Sequence, residues 1–185
     1  MRKLTVISVF LLFLSLTATA SAQSLIPIPE FHVGGGWTSS TGAMSDNYDG
    51  NGHFVVGAGI GFLPHLELQA EYMRNYFGIR SGQAFANGST TGSATVDSVS
   101  ISPMLHIGVP TTRFGGYVTG GLGFYHLSDN YSGPTQSFTH NSFGYNIGGG
   151  VTYKLFGPAR LYGEVRYHHA GDGINMVPVT LGIRF

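Results

Sequence analysis

Apolar and polar residues alternate along most of the chain, and the alternation is clearest in its last segment. Successive side chains of a β-strand point to opposite faces, so a period of two predicts one apolar and one polar face. Such a strand is stable when its edge pairs with a neighbour and its apolar face meets lipid, as in a closed membrane barrel. The apolar row is Val177, Val179, Leu181, Ile183 and Phe185, and the polar row is Pro178, Thr180, Gly182 and Arg184.

The same pattern predicts eight strands in order along the chain. Three long polar connections, 39–52, 78–95 and 128–141, alternate with three short turns that each contain a proline. Short turns at one end and long loops at the other are typical of an outer-membrane barrel, with the short turns in the periplasm. The predicted fold is all-β: an eight-stranded antiparallel up-and-down transmembrane β-barrel. The predicted strands cover 31–37, 54–62, 66–72, 99–109, 116–126, 143–155, 161–168 and 177–185.

The facing of the fifth predicted strand stays open at this point. Its more apolar row contains Val118 and Leu122, but Tyr117 and Tyr125 lie on the other row.

The first residues predict export. A basic start, Met1-Arg2-Lys3, precedes an apolar block over 4–16 and the small-residue site Ala20-Ser21-Ala22. This is the pattern of a secretory signal peptide, and the block is too short to span a bilayer as a helix. We expect cleavage after Ala22, which divides the chain into a signal peptide, 1–22, and a barrel domain, 23–185.

The composition excludes several functions. The chain has no cysteine, so disulfides and thiol chemistry are absent. Charged residues make up 10% of the sequence, against about 25% in a soluble domain. The nine basic residues do not exceed the nine acidic ones, so the basic face of a nucleic-acid-binding protein is not expected.

Three segments carry a resemblance to a known class of proteins. They are the glycine-rich strand Tyr-Val-Thr-Gly-Gly-Leu-Gly-Phe at 117–124, the segment Gly-Glu-Val-Arg-Tyr-His at 163–168, and the terminal strand. With them the chain resembles the small eight-stranded outer-membrane barrels of the OmpA and OmpX type. The resemblance implies a cell outer membrane location, a structural or surface-interaction role, and a monomer surrounded by lipid and lipopolysaccharide.

The terminal strand also resembles the assembly signal of that class. In the class, the barrel-insertion machinery recognises such a strand, so the resemblance implies this machinery as a partner through Leu181, Ile183 and Phe185. Larger members carry a peptidoglycan-binding domain after the barrel, whereas this sequence ends at Phe185. Anchoring to the cell wall by that route is therefore not implied.

If the apolar rows face lipid, the opposite rows place charged residues in the lumen. A Lys or Arg on the lipid face at the bilayer centre would cost ~2 to 4 kcal/mol, which favours the inward facing. We expect an interior ion-pair network that fills the narrow barrel, and a narrow or gated pore is the alternative. Arg74 falls on the lipid-facing row near the outer rim, where it could reach headgroups. The predicted lumen network is Glu30, Glu67, Glu71, Lys154, Glu164, Arg166 and Arg184.

Candidate catalytic and metal-binding residues are few. The eight histidines are scattered without the spacing of a metal site, so no metal or other cofactor is expected. The segment His126-Leu127-Ser128-Asp129-Asn130 resembles the His-x-Ser-Asn motif of the lipid A deacylases, which are also eight-stranded barrels. The resemblance makes Ser128 a candidate nucleophile, although the motif belongs nearer the chain end there. A strand end entering a polar loop is the favoured interpretation, so we predict no enzyme activity.

Overall fold

The computed structural model describes residues 29–79, 92–107, 113–131, 138–171 and 173–185. The predicted signal peptide and the proline turn at Pro110 lie outside these residues.

The described residues form one closed barrel in which neighbouring strands are antiparallel and consecutive in sequence. A short 3₁₀ helix, Gly42–Asp46, lies between the first two strands. The predicted eight-stranded antiparallel barrel is therefore confirmed. The strands are β1 Pro29–Ser40, β2 Tyr48–Leu63, β3 Leu66–Ile79, β4 Gly92–Ile107, β5 Phe114–Tyr131, β6 Phe138–Lys154, β7 Arg160–Ala170 and β8 Ile174–Arg184.

The seam between the first and last strands closes the barrel. Phe31 donates a backbone hydrogen bond to Phe185 over 2.8 Å and accepts one in return over 2.9 Å. Their rings also lie 6.4 Å apart on the outer face. The pairing continues up the strands from His32 opposite Arg184 to Ser40 opposite Met176. In the described part of the chain, closure pairs both edges of the sheet. An unpaired edge would be costly in lipid, because lipid offers no hydrogen bonds to the backbone.

The two faces of the barrel wall have opposite character. Leu181 is 62% exposed and Val179 52%, whereas Thr180 and Arg184 between and beyond them are buried in the lumen. The open question on β5 is answered by burial: Val118 lies outside, and Tyr117 and Tyr125 lie inside. A large apolar surface on the outside and polar side chains on the inside is the arrangement that a lipid solvent requires.

The strands extend further at the long-loop end than the sequence pattern predicted. Parts of the loops predicted at 39–52, 78–95 and 128–141 continue the pairing of the strands instead. The reason is visible inside the barrel, where Phe77, Ala94 and Val96 alternate with outward residues and are buried. These residues form an apolar core above the polar part of the lumen, so extension of the strands is stabilised by burial.

This upper core is closed by the 3₁₀ helix. Met44 of the helix is buried, and it belongs to one cluster with residues from both sides of the barrel. The helix lies against β1, β2 and β8. The upper lumen is therefore occupied mainly by apolar side chains, and the buried Asp129 carboxylate accepts a hydrogen bond there from the Tyr48 hydroxyl over 2.9 Å. The cluster consists of Met44, Tyr48, Phe77, Ala94, Val96, Tyr125, Ala170, Ile174 and Met176, with Ile79 and Leu127 packed against it.

Candidate functional site

The lumen at the short-turn end contains the first layer of ion pairs. Arg160 donates to Glu30, and His106 lies 2.9 Å from the Glu67 carboxylate. Arg184 donates to Gln69 over 2.9 Å, and its Nη1 lies 3.4 Å from Glu67. A cavity of about 240 Å³ at this end is lined by several of these residues. Gln69 and Arg184 form the buried side of this layer, and the charged groups of the layer are paired with each other.

Arg184 is held between two aromatic rings. Its guanidinium carbon lies 5.3 Å from the ring centroid of Tyr117 and 5.0 Å from that of Tyr162. Cation–π contacts of this kind are strengthened by removal from water. Tyr162 needs the space left by two glycines: a Cβ on Gly34 would lie 2.5 Å from its hydroxyl, and one on Gly182 2.5 Å from its ring.

A second layer crosses the middle of the barrel. Arg166 on β7 donates to Glu71 on β3 and to Glu164 over 2.8 Å. Tyr117 donates its hydroxyl to Glu164 over 3.0 Å, and His32 lies 3.2 Å from Glu71. All of these side chains are buried. Two carboxylates share one guanidinium, which offsets part of the cost of removing the charges from water.

A third layer is neutral and joins the middle layer to the apolar core. Thr38 donates to Asn75 over 2.7 Å and lies 2.9 Å from His53. The other ring nitrogen of His53 lies 2.9 Å from Thr180. These bonds tie β1, β2, β3 and β8 together across the lumen. Polar side chains that bond to each other in this way fill the barrel at this level.

The structure places six of the seven predicted lumen charges on the inner face, and it corrects the seventh. Lys154 is exposed because it is the last residue of β6, at the short-turn end. Its backbone N–H there donates a hydrogen bond to the backbone carbonyl of Arg113. The alternation predicted that Lys154 lies in the inward row, but it did not show that Lys154 is at the end of the barrel, beyond the lumen. The prediction also missed several polar partners, although they alternate with outward residues in the inward rows: His32, Gln69, His106, Tyr117, Arg160 and Tyr162.

The predicted assembly signal lies on the outer face of β8. Leu181, Ile183 and Phe185 are all exposed there. Its recognition by the insertion machinery stays a prediction.

A group of polar residues lies outside the barrel toward the long-loop end. Arg74 binds Asp97 through Nε over 2.6 Å and through Nη2 over 2.9 Å. Tyr72 donates its hydroxyl to the same carboxylate over 2.6 Å. Next to them, His126 lies 2.6 Å from Asn141. Arg74 is thus on the outward face, as its place in the sequence pattern predicted.

The candidate nucleophile is not paired with its candidate base. Ser128 shares the outward face of β5 with His126, but no hydrogen bond joins the two in the described part of the chain. The Nδ1 atom of His126 binds Asn141 instead. A serine nucleophile needs a base within hydrogen-bond reach. The described ranges also contain no group of three or more His, Asp or Glu side chains that could hold a metal ion, and no helix there is long and apolar enough to cross a bilayer.

The sequence of this barrel, which has an apolar exterior and an ion-paired interior, matches a known family. The family model of the outer membrane protein β-barrel domain matches residues 8–185. The chain belongs to this family. Its location is therefore the outer membrane, as predicted. No curated protein sequence matches the chain.

Solved outer-membrane barrels share the fold of this family member. Neisserial surface protein A is 14% identical with a TM-score of 0.63, over 84% of this chain and 95% of that protein. The attachment invasion locus protein Ail of Yersinia pestis is 14% identical with a TM-score of 0.58, over 87% and 100% of the two chains. The N-terminal barrel of OprF from Pseudomonas aeruginosa is 16% identical with a TM-score of 0.53, over 85% and 96%. At these identities the likeness concerns the fold alone.

Proposed function

We propose that this protein is a closed, non-conducting outer-membrane barrel that reinforces the envelope and makes contacts through its surface loops. The observation that carries the proposal is the series of buried layers above the cavity at the short-turn end of the lumen. Two layers of paired charges, one neutral polar layer and an apolar core occupy the lumen in turn along the barrel axis. An ion would have to separate buried pairs and then cross an apolar layer, and both steps are costly. Function is then expected at the outer surface.

Planar-bilayer recording tests this proposal. The refolded chain, residues 23–185, should produce no discrete openings. Glu71→Gln and Arg166→Gln remove charges from the middle layer and should also stay silent, because the apolar core remains. Discrete openings in the unmodified chain that change with either substitution would replace the proposal with a pore.

The loops of this chain favour an uncharged or cationic partner. Ail has been crystallised with the heparin analogue sucrose octasulfate, a polyanion. The connections at the long-loop end, 41–47, 80–91, 132–137 and 171–173, carry Asp46 and Asp172 against the single basic residue Arg80. Like charges repel at a contact surface, so a sulfated partner is disfavoured here. Retention on heparin beads should be absent, with Ail as the positive control, and salt-sensitive retention would overturn this part of the proposal.

Export and assembly complete the proposed role. We infer that residues 1–22 are removed on export and that the barrel-insertion machinery binds the β8 strand. The lipid A deacylase alternative lacks a serine–histidine contact in the structure. Lipid A should therefore keep its mass when the protein is expressed in a Gram-negative host, and a loss of one acyl chain that depends on Ser128 would reverse this conclusion.

A further inference from the structure

A line of four polar residues crosses the outer face of the barrel. Arg74, Asp97, His126 and Asn141 are direct cross-strand partners on β3, β4, β5 and β6, and we call them the polar rim. Two positions closer to the short-turn end, each strand carries an outward apolar or aromatic side chain. These are Tyr72, Val99, Phe124 and Phe143.

The polar rim therefore interrupts the apolar outer face on four consecutive strands, and on β3 Arg74 lies between the outward residues Tyr72 and Tyr76. It lies toward the long loops, which face outward from the cell in this class of barrel. Aromatic residues collect at the level where hydrocarbon gives way to headgroups. Arg74, with aromatic residues on either side of it along β3, is consequently near the height of the outer-leaflet headgroups.

Within the polar rim, Arg74 has a fixed orientation and an unused donor. Asp97 engages its Nε and Nη2 atoms, and Tyr72 adds a third hydrogen bond to the same carboxylate. The third guanidinium nitrogen, Nη1, has no hydrogen-bond partner among the described residues. The Arg74 side chain is 41% exposed, so this nitrogen can reach a group outside the barrel.

His126 adds a second donor or acceptor beside this group. Its Nδ1 atom is engaged by Asn141, and among the described residues its Nε2 atom has no hydrogen-bond partner. His126 lies directly opposite Asp97 in the strand pairing. A guanidinium held in place by a carboxylate is suited to phosphate, which it binds with directional hydrogen bonds. Phosphate is the anion that lipid headgroups supply at this height.

We propose that the polar rim binds the phosphate of one outer-leaflet glycolipid, with Nη1 of Arg74 as the main donor and His126 beside it. Asp97 and Tyr72 are positioning residues, because they hold the guanidinium in place and do not themselves bind the phosphate. This site goes beyond the proposed function, whose tests concern the lumen and the loops, so either proposal can fail alone.

Native mass spectrometry of the refolded chain tests the site. The barrel, residues 23–185, is incubated with phosphorylated lipid A, with lipid A from which the phosphates have been removed, or with inorganic phosphate. The unmodified barrel should retain phosphorylated lipid A at least about tenfold better than the dephosphorylated form, since a hydrogen bond to a charged group is lost. Arg74→Gln should reduce retention of the phosphorylated form by about tenfold.

Arg113→Gln is the matched control, since Arg113 is an exposed arginine at the opposite end of the barrel; it should leave retention unchanged. If Arg74→Gln does not fold, Arg74→Lys takes its place and should also lower retention of the phosphorylated form, because lysine cannot bind Asp97 and present a second, fixed donor to phosphate as the guanidinium does. Equal retention of both forms would overturn the proposal. The proposal would also be overturned if Arg113→Gln and Arg74→Gln changed the retention of phosphorylated lipid A equally. Inorganic phosphate that binds as strongly as the lipid would overturn it as well.

Discussion

Arg166 of β7 reaches across the lumen and binds Glu71 of β3, so one buried ion pair joins strands on different sides of the barrel. The pair also involves Glu164, which binds Arg166 from the same strand. Removal of one partner leaves an uncompensated charge in a buried site, which is more costly than removal of both.

Arg166→Gln should therefore lower the free energy of unfolding by about 3 to 5 kcal/mol. The measurement is the urea midpoint of the refolded barrel in lipid vesicles. The double variant Glu71→Gln with Arg166→Gln should lose clearly less than the sum of the two single changes, because the residues are coupled. Arg113→Gln serves as the exposed control. Additive losses would show that the pair does not act as a unit.

Gly34 should not accept a side chain, because of Tyr162. A Cβ there would lie 2.5 Å from the Tyr162 hydroxyl, whereas a Cβ on the outward Gly163 would meet nothing within 4 Å. Gly34→Ala should lower stability by about 1 to 3 kcal/mol, the usual cost of overpacking, and Gly163→Ala should be nearly neutral. Adding Tyr162→Phe removes the nearest clashing atom and should recover part of the loss. The urea midpoint is measured for Gly34→Ala, for Gly163→Ala and for Gly34→Ala combined with Tyr162→Phe. Equal effects of the two glycine substitutions would contradict close packing of Tyr162 against Gly34.

Deletion of Phe185 should impair assembly more than shortening of the loop at 80–91. The deletion removes both backbone hydrogen bonds to Phe31 and the ring contact at the seam. Phe185→Ala keeps the backbone bonds and should have an intermediate effect, and Phe114→Ala changes an exposed aromatic residue away from the seam as a control. The folded fraction can be followed by the heat-dependent shift in gel mobility. Assembly that is unaffected by the deletion would exclude the seam as its determinant.

The mature protein should begin at Gln23. Cleavage after the small-residue site Ala20-Ser21-Ala22 gives this N-terminus, since a small residue at the last and third-last positions is the usual pattern. N-terminal sequencing of protein purified from outer membranes measures it directly. A chain that still starts at Met1 in the membrane fraction would show that the segment is not removed.

Much of the architecture could be predicted from the sequence, because each membrane-spanning strand must present apolar side chains to lipid on one face. Every second residue must be apolar, so Val177 to Phe185 and the other alternating rows predicted the number of strands, their order and, except for the fifth strand, their outward faces. The same rule placed Arg166 and Glu71 in the lumen. It failed at Lys154, since alternation gives the face of a residue and not its height relative to the end of the barrel.

What the sequence by itself determined was thus the local part: strand periodicity, facing and the class of fold. The partners within the lumen were decided by the tertiary structure, because Arg166 and Glu71 are 95 residues apart and meet only through the closure and stagger of the barrel. The same holds for the apolar core under Met44, of which Met44, Tyr48 and Ala94 lie in segments that the sequence pattern predicted as polar loops. Alternation acts between neighbours in the chain, whereas filling a closed barrel depends on which side chains the strand register brings to the same level.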